Sequence, residues 1–179
     1  MLSTQQLKQE LLAHIDHVAR RSKAYSDEDF ARLEALVAAM RPCSPYPEPF
    51  NTPQHVQGRW ATAFAHFGAR HSAGKLEQHD SNLRVQSFNL FPPAPIRVQR
   101  ITQEIAVGPQ AYNNVIDFVT PDASAQGMII VRGHYYGDVR QPQRFGVDFY
   151  RVEIRPRAGT TEEALRAGLS FDAAQPLTA

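Results

Sequence analysis

The 179 residues carry 19 Lys+Arg against 18 Asp+Glu, a net charge of +1, and 42% of them are hydrophobic. This supports one domain with a proper core, and it excludes a nucleic-acid binder that works by bulk charge as well as an acidic disordered tail. The single cysteine, Cys43, excludes an intramolecular disulfide and a cluster of thiolate metal ligands.

The chain opens as a helical pair. Ser3 with Gln6 fits a capping box, and Leu7, Leu11, Leu12, Ile15 and Val18 then recur at helical spacing. Ser26 followed by Asp27, Glu28 and Asp29 marks a second helix start, because negative charge suits the free N–H groups there. Phe30, Leu33, Val37 and Met40 continue as its apolar stripe, and Pro42 ends it. The prolines from Pro42 to Pro53 predict a stiff, extended spacer over residues 42–57, rather than a ligand for another domain.

Beyond Gly58 the apolar residues change to a period of two. Trp60, Thr62, Phe64 and His66 share one face of an expected strand. Leu83 to Phe91 reads as a strand stopped by Pro92 and Pro93. Ile96 to Val107 is another, and its parity slips near Gln99 and Arg100, which predicts a β-bulge or a barrel corner. Tyr112 to Thr120, Gly127 to Tyr136 and Arg144 to Arg155 alternate as further strands, and Thr160 to Ala167 reads as a short capped helix. The expected class is therefore mainly β with an N-terminal helical hairpin. Residues 1–41 form the hairpin packed on an antiparallel β-barrel of residues 58–179, one domain overall. Closure is expected because it removes exposed sheet edges.

No G-x-S-x-G, G-x-x-x-x-G-K-[ST] or strand-borne G-x-G-x-x-G motif occurs. His14 and His17 lie one helical turn apart, and His66, His71 and His79 cluster in a polar stretch. Neither set matches a ligand spacing, so no metal and no cofactor is expected. The aromatic strands allow either a filled core or an apolar pocket with a few orienting polar groups. The candidate wall comprises Trp60, Phe64, Phe88, Ile105, Phe118, Ile130 and Phe149, and Tyr112, Arg132 and His134 are its candidate polar contributors.

Several segments carry a resemblance. Gly58-Arg59-Trp60 looks like the G-x-W signature that opens lipocalin-like barrels. Val56 to Phe64, Tyr112 to Phe118, and Arg144 to Phe149 are similar, in the same order, to strands of the plastid lipid-associated proteins. The chain resembles this family, also called plastoglobule fibrillins, and looks like a bacterial-type member of it. The C-terminal segment from Leu169 departs from the family's closing strand, which leaves incomplete closure of the barrel open.

The resemblance implies a lipocalin-like barrel that binds a hydrophobic small molecule or lipid of the fatty acid, isoprenoid or pigment class, without catalytic residues. It implies that Trp60 packs across the closed end under an arginine, Arg151 or Arg155. It leaves room for peripheral association with a membrane or lipid body, and it implies no nucleic-acid partner. Two other readings stand beside it: a filled barrel acting as a protein-interaction module, and a cone-shaped enzyme of the NTF2 type using His134 with Asp117. No apolar run approaches the ~20 residues that cross a bilayer, and no signal-peptide pattern opens the chain, so a soluble cytoplasmic protein is expected.

Overall fold

The computed structural model describes residues 3–21, 25–64, 79–137 and 140–179. His66, with the far end of the strand expected to run through it, and His71 of the polar stretch beyond lie outside the described residues. The chain divides into two units, one built around the first 48 residues with Ala63 and Phe64, the other around residues 49–62 and the chain from 79 onward.

In the first unit, helices α1 (Thr4–Arg21) and α2 (Asp27–Met40) run antiparallel. Glu10 pairs with Arg32 at 2.7 Å, and His14 Nε2 lies 3.2 Å from the Asp29 carbonyl oxygen. Both expected caps form. Gln6 N–H donates to Ser3 Oγ, Asp29 N–H donates to Ser26 Oγ, and the side chains of Gln6 and Asp29 accept from the Ser3 and Ser26 amides. Leu7, Ile15, Val18, Leu33 and Leu36 are buried. Leu12 and Val37, expected on the apolar stripes, are exposed instead. A helix offers a buried face only about 100° wide, and in α2 Leu36 holds the position that the a/d reading assigned to Val37. Tyr25, Phe30 and Phe64 pack ring to ring with centroids 5.1–6.3 Å apart.

The second unit is a six-stranded antiparallel sheet: β1 (Gly58–Ala61), β2 (His79–Asn82), β3 (Pro95–Ala106), β4 (Ala111–Val119), β5 (Gln126–Gly137) and β6 (Phe145–Pro156). The strands order as β1-β3-β4-β5-β6, with β2 pairing the other half of the same β3 flank. The expected barrel is corrected here, because no ladder among the described residues joins β6 back to β1. β1 spans four residues, too few to carry a closing seam. The edge of β6 is met by the chain's own C-terminus, where Val152 exchanges hydrogen bonds with Ala179, and Ile154 N–H donates to Leu177.

The expected strand from Leu83 to Phe91 is also absent. Asn82 Oδ1 accepts from Arg84 N–H and caps a one-turn helix, α3 (Leu83–Gln86). Phe88 and Asn89 then take φ of +54° and +66°, left-handed values that no strand contains.

The slip at Val98/Arg100 is a β-bulge, as the parity predicts, and a second bulge lies opposite Arg132/Gly133 on β6. Both return the apolar residues to one face. By register, Val98, Ile101, Ile116, Phe118, Ile129, Val131, Val152 and Ile154 share it, and all are buried. Helix α4 (Glu162–Gly168) covers one end. Its Leu165 and the Phe118 ring both lie where a side chain on Gly127 would go.

A Gly127→Ala methyl would meet the Phe118 ring at 2.6 Å and Leu165 at 3.0 Å. Overpacking of this kind is expected to cost about 1–3 kcal/mol, and Leu165→Ala about 2–5 kcal/mol through the cavity it leaves. In urea denaturation the double variant is expected to lose less than the sum, because truncating Leu165 makes room for the added methyl.

Candidate functional site

The two faces of the sheet differ sharply. On the core face, the end remote from α4 is aromatic. Ile105, Tyr112, Gly133 and Phe149 stand in register across β3 to β6, so their faces coincide. The Tyr112 ring lies 6.2 Å from Phe145 and 6.3 Å from Phe149. Phe88 stacks on Phe149 at 5.3 Å, and Tyr135 meets Phe145 edge-on at 6.0 Å. The left-handed turn at Phe88 and Asn89 is what brings Phe88 over the sheet. Such strain in residues other than glycine persists only where the surroundings over-determine it. Phe88, Leu90, Phe145 and Phe149 are all exposed, and Phe88 and Leu90 reach 53%. Tyr112 lies deeper, and burial raises its hydroxyl above the ordinary tyrosine pKa.

The ten candidate residues therefore do not form one wall. Trp60, Ile105, Tyr112 and Phe149 share the core face by register, and Phe88 joins them. Phe118 is on that face but fully buried. Ile130, Arg132 and His134 point to the opposite face, since they alternate with Ile129, Val131 and Gly133 along β5. Phe64 belongs to the helical unit and packs on Tyr25 and Phe30.

Trp60 does not plug a closed end beneath Arg151 or Arg155. It is 48% exposed on the outer strand β1, and its indole N–H donates to the Val56 carbonyl at 2.8 Å. Arg151 and Arg155 lie across the sheet on β6, on the opposite face, bound to Glu153.

The pair expected for an enzyme is likewise not assembled. Asp117 stands opposite Met128, whereas His134 is six residues further along β5, roughly 20 Å away at strand rise. His134 stacks on Tyr150 at 4.7 Å, and Asp117 accepts from Arg100 and Arg157.

The opposite face carries the charges. Arg151, Glu153 and Arg155 alternate on β6, so all three side chains project the same way. Arg132 stands directly across from Arg151, a like-charge pairing that would repel without a counter-ion. Glu153, only 5% exposed, supplies it: it accepts from Arg132 at 2.6 Å and pairs with Arg151 at 3.2 Å and Arg155 at 2.5 Å. The Arg132 hydrogen bond holds the Glu153 carboxyl below the usual carboxylate range, against the upward push of burial, and Arg155 adds to it. At the end of the sheet near the β4–β5 turn, a cleft of about 560 Å³ is lined by Gln99, Arg100, Asp117, Gln126 and Arg157, with Phe118 and Gly127 at its side. The sequence reading missed this arginine arrangement. Its signal was the alternation Arg151-Val152-Glu153-Ile154-Arg155, in which every second residue is charged.

The chain thus pairs a helical hairpin with an open antiparallel sheet that has one apolar, aromatic-rich face and a charged reverse, and no described helix is long and apolar enough to cross a bilayer. Among the described residues no three metal-binding side chains gather. The chain belongs to the PAP_fibrillin family, whose model matches residues 5–171. No curated protein and no solved structure matches it significantly.

Because the Glu153 carboxyl is held low in the folded state, its contribution to stability is full above the ordinary carboxylate pKa and is lost as pH falls through the folded value. Glu153→Gln is expected to cost about 2–3 kcal/mol at neutral pH, the scale of a charge-assisted hydrogen bond with its neighbours left unpaired. Thermal unfolding across acidic pH should show a shallower acid limb in the variant than in the parent chain.

Proposed function

We propose that this chain binds a hydrophobic small molecule of the lipid class, such as a fatty acid, isoprenoid or pigment, against the aromatic end of the core face, without catalysing a reaction on it. The observation that carries this reading is the cluster of Phe88, Tyr112, Phe145 and Phe149, which leaves large apolar side chains in water on the face that elsewhere forms the core. The rings touch one another and so form a contiguous exposed apolar patch, the kind of surface found at ligand grooves and interaction sites. Membership of a family whose members are named for association with plastid lipid bodies supports the same class of ligand, and it supports association of this chain with a lipid body. The driving force would be apolar area removed from water, about 25 cal/mol per Å². Tyr112, half-buried among the rings, would offer its hydroxyl to a polar group of the ligand.

Trp60 is the only tryptophan and shares this face, so its fluorescence reports occupancy. Titration with a long-chain fatty acid is expected to change the Trp60 emission saturably. Phe149→Ala is expected to weaken the apparent affinity about ten-fold, the effect of about 1.4 kcal/mol. Unchanged emission, together with no lipid recovered by mass spectrometry from the purified protein, would overturn the reading.

A further inference from the structure

Two clusters on the charged face hold their anions low and their cations high. Glu153 and Asp117 are 5% and 11% exposed, whereas Arg100, Arg151 and Arg155 are each about half exposed, and Arg132 and Arg157 about a third. In these two clusters five guanidiniums stand over two carboxylates, a local surplus of three; elsewhere on the face Glu104 pairs with Arg59, and Asp148 stands exposed opposite His134. Arg59 and Arg97 on this face are balanced by Glu104 and Asp80, and Asp148 subtracts one, so the face keeps a surplus of two positive charges. Within the two clusters the carboxylates are neutralised and shielded, and the outermost layer is arginine. Each arginine has donors left over, because one guanidinium carries five N–H groups and its carboxylate partner takes one or two.

The arrangement spreads sideways rather than inward. Arg100 is on β3, Arg132 on β5, and Arg151 and Arg155 on β6, with strands about 4.8 Å apart. Val115 and Ile130 lie buried in the row between the two clusters, on the same face as Glu153. Tyr136 and Tyr150 project from this face further along β5 and β6, both more than half exposed. Tyrosines beside arginines are the side chains that settle at the headgroup level of a bilayer. Guanidiniums match phosphate oxygens in pairs.

We propose that this face docks the protein on an anionic lipid surface, with the arginines on headgroup phosphates and Tyr136 and Tyr150 at the interface. This deepens the lipid-associated part of the reading above by assigning a surface and a lipid charge. It does not need the aromatic face to hold a ligand. A polyanion such as RNA is the weaker fit, because His134 already occupies one face of the Tyr150 ring and base stacking needs free ring faces.

The test is co-sedimentation of the full chain with vesicles of phosphatidylcholine alone and of phosphatidylcholine mixed with phosphatidylglycerol. Binding is expected only to the mixed vesicles, and it should weaken as salt shortens the screening length. Arg151→Gln with Arg155→Gln is expected to lower partitioning about five-fold for each arginine removed, and the Lys variants at both positions should keep most of it. Tyr136→Ser with Tyr150→Ser touches neither carboxylate and tests the same face if the glutamine variant unfolds; it too should lower partitioning. Equal binding to both vesicles, no binding to either, full release by inorganic phosphate at millimolar level, or equal affinity for single-stranded RNA would each overturn the proposal. Phe149→Ala separates the two readings. It should weaken fatty-acid binding and leave vesicle binding unchanged, and loss of vesicle binding in that variant alone would move the docking surface to the aromatic face.

Discussion

The pleat of β3 to β6 governs the molecule, and two bulges keep it consistent. In a strand, side chains alternate, so residues three apart normally face opposite ways. Val98 and Ile101 are three apart and share the core face, as do Phe149 and Val152. Each bulge inserts one residue and resets the phase. Without the reset near Tyr150, either the aromatic end or the Val152–Ile154 end of β6 would turn to the wrong side. The separation of an apolar face from an arginine face rests on those two local irregularities.

That separation explains why the charges can be as dense as they are. Arg132 and Arg151 face each other across a strand pair, and Arg155 follows on the same side. The cluster is tolerable because a buried carboxylate sits at its centre and because the arginine stems can lie along the sheet while their heads reach water. Glu153 is therefore a structural counter-ion for a surface that presents cations outward. Asp117 repeats the device with Arg100 and Arg157 one row away.

Much of this was legible. Both helix caps, the end of α2 before Pro42, the bulge near Gln99, strands β3 to β6 and helix α4 follow from periodicity and capping chemistry, because these depend on neighbours within a few residues. The bulge on β6 carried the same parity slip, between Val147 and Phe149 on one side and Val152 and Ile154 on the other, and it was there to be read. The segment after Asn82 was not legible as a helix, since Val85, Phe88 and Phe91 suit a strand by propensity and only the Asn82 cap and the left-handed turn decide otherwise. Residue chemistry alone does not assign the ten pocket candidates to a face, and one residue of offset moves a side chain through the sheet.

By itself the sequence determined the helical pair, strands β3 to β6 with helix α4 after them, and the family, because hydrophobic period, caps and short ordered motifs are local properties. Tertiary structure alone decided that the sheet stays open, that Trp60 lies on an outer strand away from Arg151 and Arg155, that His134 and Asp117 stand far apart, and that Glu153 gathers three arginines. All of these depend on which strands become neighbours and in what register. Pairing across tens of residues is settled by competition among whole arrangements, and no single segment records its outcome.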